Sequence, residues 1–294
     1  PLDYFLGLHI NISKDRNRIH VHQAKYITEI LERFGMSNCK PSSVPIDGTS
    51  KSAFEGEVDE KLKYREGVGA LMYCQVATRG DIGFAASFLS RYLDKPTRHL
   101  WTTFLKVLRY LSVTKYYGPV FDASGSDTLE AFSDADFAGC KSTFKSTSGS
   151  LIRFAGGPLF WMSKKQGTTA LNTLESELFA ACETAKACIW LNRLLNEAGY
   201  DVRPKLLIDN SACISLIRNA QITSRSRHVQ VRFSFVHEKV EAGEFEIEHC
   251  ATEDNVSDLF TKPLYKNRFQ KLRQLAGFEH GGGRYGGGGD LRHY

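Results

Sequence analysis

The spacing of apolar positions in this chain changes near Asp127, from mainly helical before it to short strand-like runs after it. Residues 4–12 and 18–22 read as two strands around the turn Ser13-Lys14-Asp15-Arg16-Asn17. A helix is predicted from Ala24 to Phe34, with Tyr26, Ile27, Ile30, Leu31 and Phe34 at helical spacing and Gly35 as its C-cap. Residues 38–60, with Pro41, Pro45 and many polar positions, read as a long loop. Three helices are predicted next, over 64–78, 81–93 and 97–112. The third sets Trp101, Phe104, Leu105, Leu108 and Leu111 on one side and Arg98, Lys106 and Arg109 on another. A solvated face is the plain reading of those cations; a stripe that tracks phosphates is the sharper one.

After Asp127 the pattern predicts a strand over 129–134, then 148–154 and 159–163 as a hairpin through Gly156-Gly157-Pro158. A long helix follows over 174–198, capped by Asn172 or Thr173. Then come a buried strand at 206–208, helices over 211–218 and 229–242, a strand over 245–249 and a last helix starting near Asn255. Three antiparallel strands followed by strands alternating with helices predict an α/β fold, a mixed sheet with helices on its faces. Residues 281–289 are almost all glycine and can bury nothing. The expected organisation is 1–60 as a hairpin, helix and linker, 61–126 as a helical region, 127–265 as the α/β domain, and 266–294 as a glycine-rich disordered tail.

Composition narrows the function classes only a little. A net charge of +5 permits a polyanionic partner without requiring one. Seven cysteines, an odd number with no Cys-x-x-Cys pair, argue for reduced intracellular thiols and against a disulfide scaffold or structural zinc. No apolar run approaches membrane-spanning length, and no signal-peptide pattern opens the chain. The first residue is Pro1, so a processed product or part of something larger is expected.

The chemistry lies in four acidic residues: Asp134 and Asp209 at the ends of apolar strand-like runs, Glu177 and Asp258 on helix-like segments. Singly, each has a structural explanation. Asp134 or Asp136 could serve a turn, Asp209-Asn210 could cap a helix, Glu177 could be a surface charge, and Asp258 could support a helix N-terminus. Gathered, they would repel one another unless a cation intervened. Hard oxygen ligands of this kind hold magnesium. One ion can activate a water and a second can stabilise a leaving 3′ oxygen in phosphodiester hydrolysis.

Motifs across nearly all of residues 3–264 sharpen this. They include Tyr4-Phe5-Leu6-Gly7-Leu8, Tyr64-Arg65 with Val68-Gly69, Thr78-Arg79 with Asp81-Ile82, and Val107-Leu108-Arg109-Tyr110-Leu111. Further on stand Ser133-Asp134-Ala135-Asp136, Ser146-Thr147-Ser148-Gly149, Trp161-Met162-Ser163-Lys164-Lys165-Gln166 and Asp209-Asn210-Ser211. Arg227-His228-Val229 and Leu259-Phe260-Thr261-Lys262-Pro263-Leu264 complete the set. In these the chain closely resembles the Ty1/copia class of retrotransposon Pol polyproteins. Gly80, Cys140 and His249-Cys250-Ala251-Thr252 depart from the family pattern without removing a carboxylate.

The resemblance implies the C-terminal end of a reverse transcriptase, with a thumb or connection region, followed by a ribonuclease H-like domain with a five-stranded mixed sheet. Asp134, Glu177, Asp209 and Asp258 then correspond to the catalytic carboxylates, with Mg2+ as two ions for which Mn2+ can substitute. Glu177 is preferred to Glu175 because Leu-Phe-Ala-Ala follows it, and Asp136 is the second choice at its site. Ser146, Thr147, Lys164, Lys165 and Gln166 become hybrid-contact candidates beside Arg98, Lys106 and Arg109, with small polar groups sensing the 2′-hydroxyl. His228 and His249 are auxiliary candidates, for which packing or capping is the commoner role. The implied partners are an RNA–DNA hybrid and the remainder of the Pol polyprotein, with no membrane. The implied address is the cytoplasm, in the element's virus-like particle, or the nucleus. No Tyr-x-Asp-Asp polymerase motif is present, so no DNA synthesis is expected from this chain alone. A catalytically silent nucleic-acid-binding remnant, or a nuclease of the same fold acting on DNA, stays open.

Overall fold

The computed structural model describes residues 3–48, 56–219 and 227–281. The run expected as one strand over 4–12 is split into β1 (Tyr4–Phe5) and β2 (Leu8–Ile12). Leu6 and Gly7 between them take φ of 47° and 84°, and the pairs Tyr4↔His9 and Phe5↔Leu8 close around them. Two consecutive positive φ values make the tight mirror-image turn that matches strand twist, and glycine at the second position keeps the strain low. β3 (Arg18–His22) pairs antiparallel with β2, and α1 (Ala24–Arg33) buries Ala24, Ile27, Ile30 and Leu31.

The helical region holds α2 (Tyr64–Ala77), a 3₁₀ turn at Gly80–Ile82, α3 (Gly83–Ser90) and α4 (Arg98–Val113). Thr97 caps α4 by accepting from the Leu100 amide at 3.3 Å. At its centre Arg79 and Asp81 are fully buried and joined by two hydrogen bonds, of 2.9 and 2.7 Å. Arg79 also donates to the Thr114 carbonyl and hydroxyl, and Tyr110 donates to Asp81 at 2.5 Å. These bonds satisfy charges that burial alone would make very costly.

The unpredicted strand β4 (Tyr117–Asp122) pairs with β3, so the N-terminal hairpin belongs to a larger sheet. Then follow β5 (Thr128–Asp136), β6 (Thr147–Phe154), β7 (Gly157–Lys165), α5 (Thr173–Glu197) and β8 (Arg203–Ile208). The chain continues through α6 (Ser211–Asn219), α7 (Arg227–Glu241), β9 (Glu246–His249), α8 (Lys266–Leu275) and β10 (Phe278–His280). One five-stranded sheet runs β1-β2-β3-β4-β10; the other runs β7-β6-β5-β8-β9. In the second, β5, β6 and β7 are antiparallel neighbours and β5-β8-β9 are parallel. This is the ribonuclease H-like mixed sheet.

Alternation along these strands feeds two cores. Leu129, Ala131, Ile152, Leu206 and Ile208 pack under α5, α6 and α7. Phe132, Leu151 and Leu207 on the other face join the core of the helical region. The expected boundary at Asp127 is crossed by the first sheet, whose last strand β10 comes from beyond it, and Phe278 of that strand lies in the same core as Phe132, Leu151 and Leu207. The tail expected over 266–294 needs correcting. Phe269, Leu272, Ala276 and Phe278 are buried in that same core, and β10 pairs with β4. Glycine-rich composition dominates that region, but the apolar spacing before Gly281 is helical. The residues from 282 onward and the side chain of His228 lie outside the described residues.

Candidate active site

Asp134, Glu177 and Asp209 offer carboxylate oxygens that all lie within 4.8 Å of one another. Asp134 stands near the end of the central strand β5, and Asp209 follows the last residue of its parallel neighbour β8. Glu177 enters from the first turns of α5, which packs on both strands. Local chemistry explains why Glu177 and not Glu175 reaches the site. Asn172 accepts from the Glu175 amide at 2.8 Å, while Glu175 accepts from the Leu171 amide at 2.7 Å. Glu175 is thus engaged in capping α5, whereas Oε2 of Glu177 is buried with no hydrogen-bond partner.

Burial, then the negative charges of Asp134 and Asp209, push Glu177 up to about 9. Burial and the nearby Asp258 likewise push Asp134 above the usual carboxylate range. Such a group is short of positive charge, and an orphaned buried carboxylate oxygen is what a divalent cation relieves. The residues present therefore fit a metal held by Asp134, Glu177 and Asp209.

Asp258 lies beside this group and outside it. Instead of the expected helix it sits on a 3₁₀ turn, Val256–Phe260, almost fully buried. The buried side chain of Asn255 ties that turn to the sheet by donating to the Ser133 carbonyl at 3.0 Å. Lys262 Nζ lies 2.6 Å from Asp258 Oδ1 and 3.9 Å from Asp134 Oδ2. Arg268, from α8, engages Asp258 Oδ2 through Nε at 3.1 Å and through its terminal nitrogen. Thr261 donates to Asp134 Oδ2 at 2.6 Å. Asn255, Thr261, Lys262 and Arg268 carry no role in the sequence reading. Thr261 and Lys262 stand in the motif Leu259-Phe260-Thr261-Lys262-Pro263-Leu264, and their part appears only when the turn folds over β5.

The other candidates are dispersed. Asp136 lines a pocket with Arg91, Cys140, Thr147 and Thr261, apart from the three gathered carboxylates. Ser146 and Thr147 are buried and serve the fold: Ser146 accepts from the Ala138 amide at 3.1 Å, and Thr147 from Arg91 at 3.3 Å. Lys106 pairs with Asp47 and Arg98 with Asp59, on a helix packed against α1, α2 and α3. The Arg109 carbonyl accepts from the Ser42 amide. His249 is exposed at the end of β9, across the ladder from Ile208. Lys164, Lys165 and Gln166 line a cleft with Ser148, Phe179 and Arg232. Gln166 is pinned there by donating to Ser148 and to the Ser176 carbonyl. Arg232, missed in the sequence, lies over the Phe179 ring at 4.4 Å.

No protein-family model matches the chain. It is 36% identical over 287 residues to the retrovirus-related Pol polyprotein from transposon TNT 1-94 of Nicotiana tabacum, covering 94% of this chain and 22% of that protein. The corresponding polyprotein from transposon RE1 of Arabidopsis thaliana is 31% identical over 280 residues, covering 94% of this chain and 19% of its own length. The chain thus spans about a fifth of the length of these relatives. A crystal structure of the ribonuclease H1 LC11 in complex with an RNA/DNA hybrid aligns with 46% of this chain and 94% of its own, at 15% identity and a TM-score of 0.35. The chain belongs to the Ty1/copia-type family of retrotransposon Pol polyproteins, as a segment that carries a ribonuclease H-like domain.

Proposed function

We propose that this chain cuts the RNA strand of RNA–DNA hybrids by metal-assisted hydrolysis. The observation that carries the reading is the convergence of Asp134, Glu177 and Asp209 from β5, α5 and the end of β8, with Glu177 short of a partner. Magnesium, or manganese in its place, would supply there an activated water and positive charge for the phosphate. In the two-ion form of this chemistry the second ion would lie on the Asp258 side of Asp134. Thr261 holds one oxygen of Asp134 and so sets the direction in which its carboxylate points.

The cleft of Lys164, Lys165 and Arg232 offers cations for a sugar-phosphate backbone, next to polar groups that can meet a 2′-hydroxyl. Products would carry 5′-phosphate and 3′-hydroxyl ends. DNA synthesis is no part of the proposal, because the sequence contains no Tyr-x-Asp-Asp motif. The remainder of a Pol polyprotein is the proposed partner.

The test is cleavage of a labelled RNA–DNA hybrid with magnesium, beside Asp209→Asn and an all-DNA duplex. RNA-strand cutting by the parent alone is expected. Equal cutting by Asp209→Asn would refute the metal assignment, and cutting of the duplex would point to a DNA nuclease. Hybrid binding without cutting would favour a silent module.

A further inference from the structure

Four acidic side chains meet at this site, yet only three of them face one another as a ligand group. The fourth, Asp258, has both oxygens engaged by cations of the chain itself, Oδ1 by Lys262 and Oδ2 by Arg268. Lys262 also leans toward Asp134, placing its ammonium between the two aspartates. That position, shared by Asp134 and Asp258, is where a second divalent ion would stand.

We propose that Lys262 is the second cation of this site, so that the chain holds a single divalent ion, at Asp134, Glu177 and Asp209. The inference rests on the metal-dependent reading above and concerns how that site is filled.

Charge supports it. The four carboxylates carry four negative charges, which one divalent ion, one ammonium and one guanidinium balance. A second ion would have to displace Lys262 from an ion pair whose acid is almost fully buried. It would also have to share an aspartate already gripped by Arg268, which is itself anchored by a 2.7 Å bond to the Thr252 carbonyl. Displacing Lys262, whose side chain is part-exposed, would leave the buried Asp258 carboxylate with Arg268 alone, and a buried acid stripped of a cation keeps its desolvation penalty. Lys262 is four residues beyond Asp258 on the segment that Asn255 fastens to β5, so its placement is built into the fold.

In this arrangement Lys262 gives the reacting phosphate a fixed positive charge opposite the metal. A lysine ammonium is a compact point charge suited to a phosphate oxygen. No proton transfer by Lys262 is required.

The experiment is electron paramagnetic resonance of Mn2+ bound to the whole chain, with a short hybrid whose RNA strand is 2′-O-methylated and therefore uncut. Two manganese ions sharing carboxylates give an exchange-coupled signal, and one gives an isolated signal. The parent and Lys262→Arg should show isolated Mn2+, while Lys262→Met should show the coupled pair. A coupled pair in the parent overturns the proposal even if no variant folds. An isolated ion in a folded Lys262→Met overturns the role of Lys262. Asp209→Asn is the separate control. If it keeps Mn2+ as tightly as the parent, the metal-site reading itself falls, whatever Lys262 does.

Discussion

Gly149 is the cross-strand partner of Asp134, and a Cβ built on it would stand 2.5 Å from the Ser257 carbonyl and 2.6 Å from the Thr261 methyl. The turn that carries Asp258 therefore lies directly on the main chain of β6, at a point where only glycine leaves room. Gly149→Ala must push that turn off the sheet and take the Thr261 hydroxyl away from Asp134. Overpacking of this kind costs about 1–3 kcal/mol. The variant should show a lower urea midpoint and a loss of hybrid cleavage larger than its loss of fold. Parent-like values in both measurements would mean that the turn has no fixed seat on Gly149.

Glu177 makes the metal-free protein sensitive to alkali. Burial first, and then Asp134 and Asp209, raise it to about 9, whereas a glutamate in the unfolded chain ionises near its ordinary 4.5. Between those values the folded chain holds a proton that the unfolded chain has lost. Its contribution to stability therefore falls as pH rises through that window, by at most about 1.4 kcal/mol per pH unit. Glu177→Gln removes the effect. Urea melts in chelator should show the variant gaining on the parent from pH 6 to pH 8.5, and magnesium should close the gap by favouring the parent. A constant gap across pH would show that Glu177 is ionised in the folded state.

Much of this site was legible because its carboxylates sit in local contexts with their own signals. Asp134 and Asp209 follow apolar strands, and the apolar run after Glu177 distinguishes it from Glu175, whose place in the cap is itself a local pattern. Asp258 was legible as a residue and not as a geometry, since its tie to Lys262 and Arg268 depends on how a 3₁₀ turn and α8 fold onto β5. The strand β4 was hidden by Gly118 and Pro119, which break a strand pattern in isolation. Here Gly118 lets the backbone of Val21 approach, with β3 on one side and β10 on the other. Ser146 and Thr147 drew attention as hydroxyls for a 2′-hydroxyl, but only tertiary structure shows them buried as internal hydrogen-bond acceptors.

His20 and His22 set an acid limit on the first sheet. Burial, and then the neighbouring His280, holds His20 down at about 4; burial, and then His20 and His9, holds His22 at about 3. Unfolded histidines take up protons near 6.5, so these two contribute stability that is full above that pH. It is lost as pH falls toward 4, on the order of 3 kcal/mol for one such group. His20→Gln should flatten the fall in urea midpoint between pH 6.5 and pH 4.5. An unchanged slope would assign the acid sensitivity to other groups.

The Arg79–Asp81 pair is the most demanding contact of the helical region, because both side chains are fully shielded from water. Its geometry uses the planar fork of arginine: two bonds to Asp81 and two to Thr114, with Tyr110 completing Asp81. Arg273 of α8 donates to the same Tyr110 hydroxyl at 3.4 Å, so the network also steadies the helix that delivers Arg268 to Asp258. Lysine cannot reproduce that fork. Arg79→Lys should therefore destabilise clearly, and Arg79→Ala by about 3–5 kcal/mol, the usual cost of stranding a buried partner. The double change Arg79→Met with Asp81→Leu should recover much of that loss, because it removes both desolvated charges at once. Chemical denaturation of the three variants decides the point. A double variant no more stable than Arg79→Ala would show that the pair's bonds to Thr114 and Tyr110, rather than its internal charge balance, hold this part of the core together.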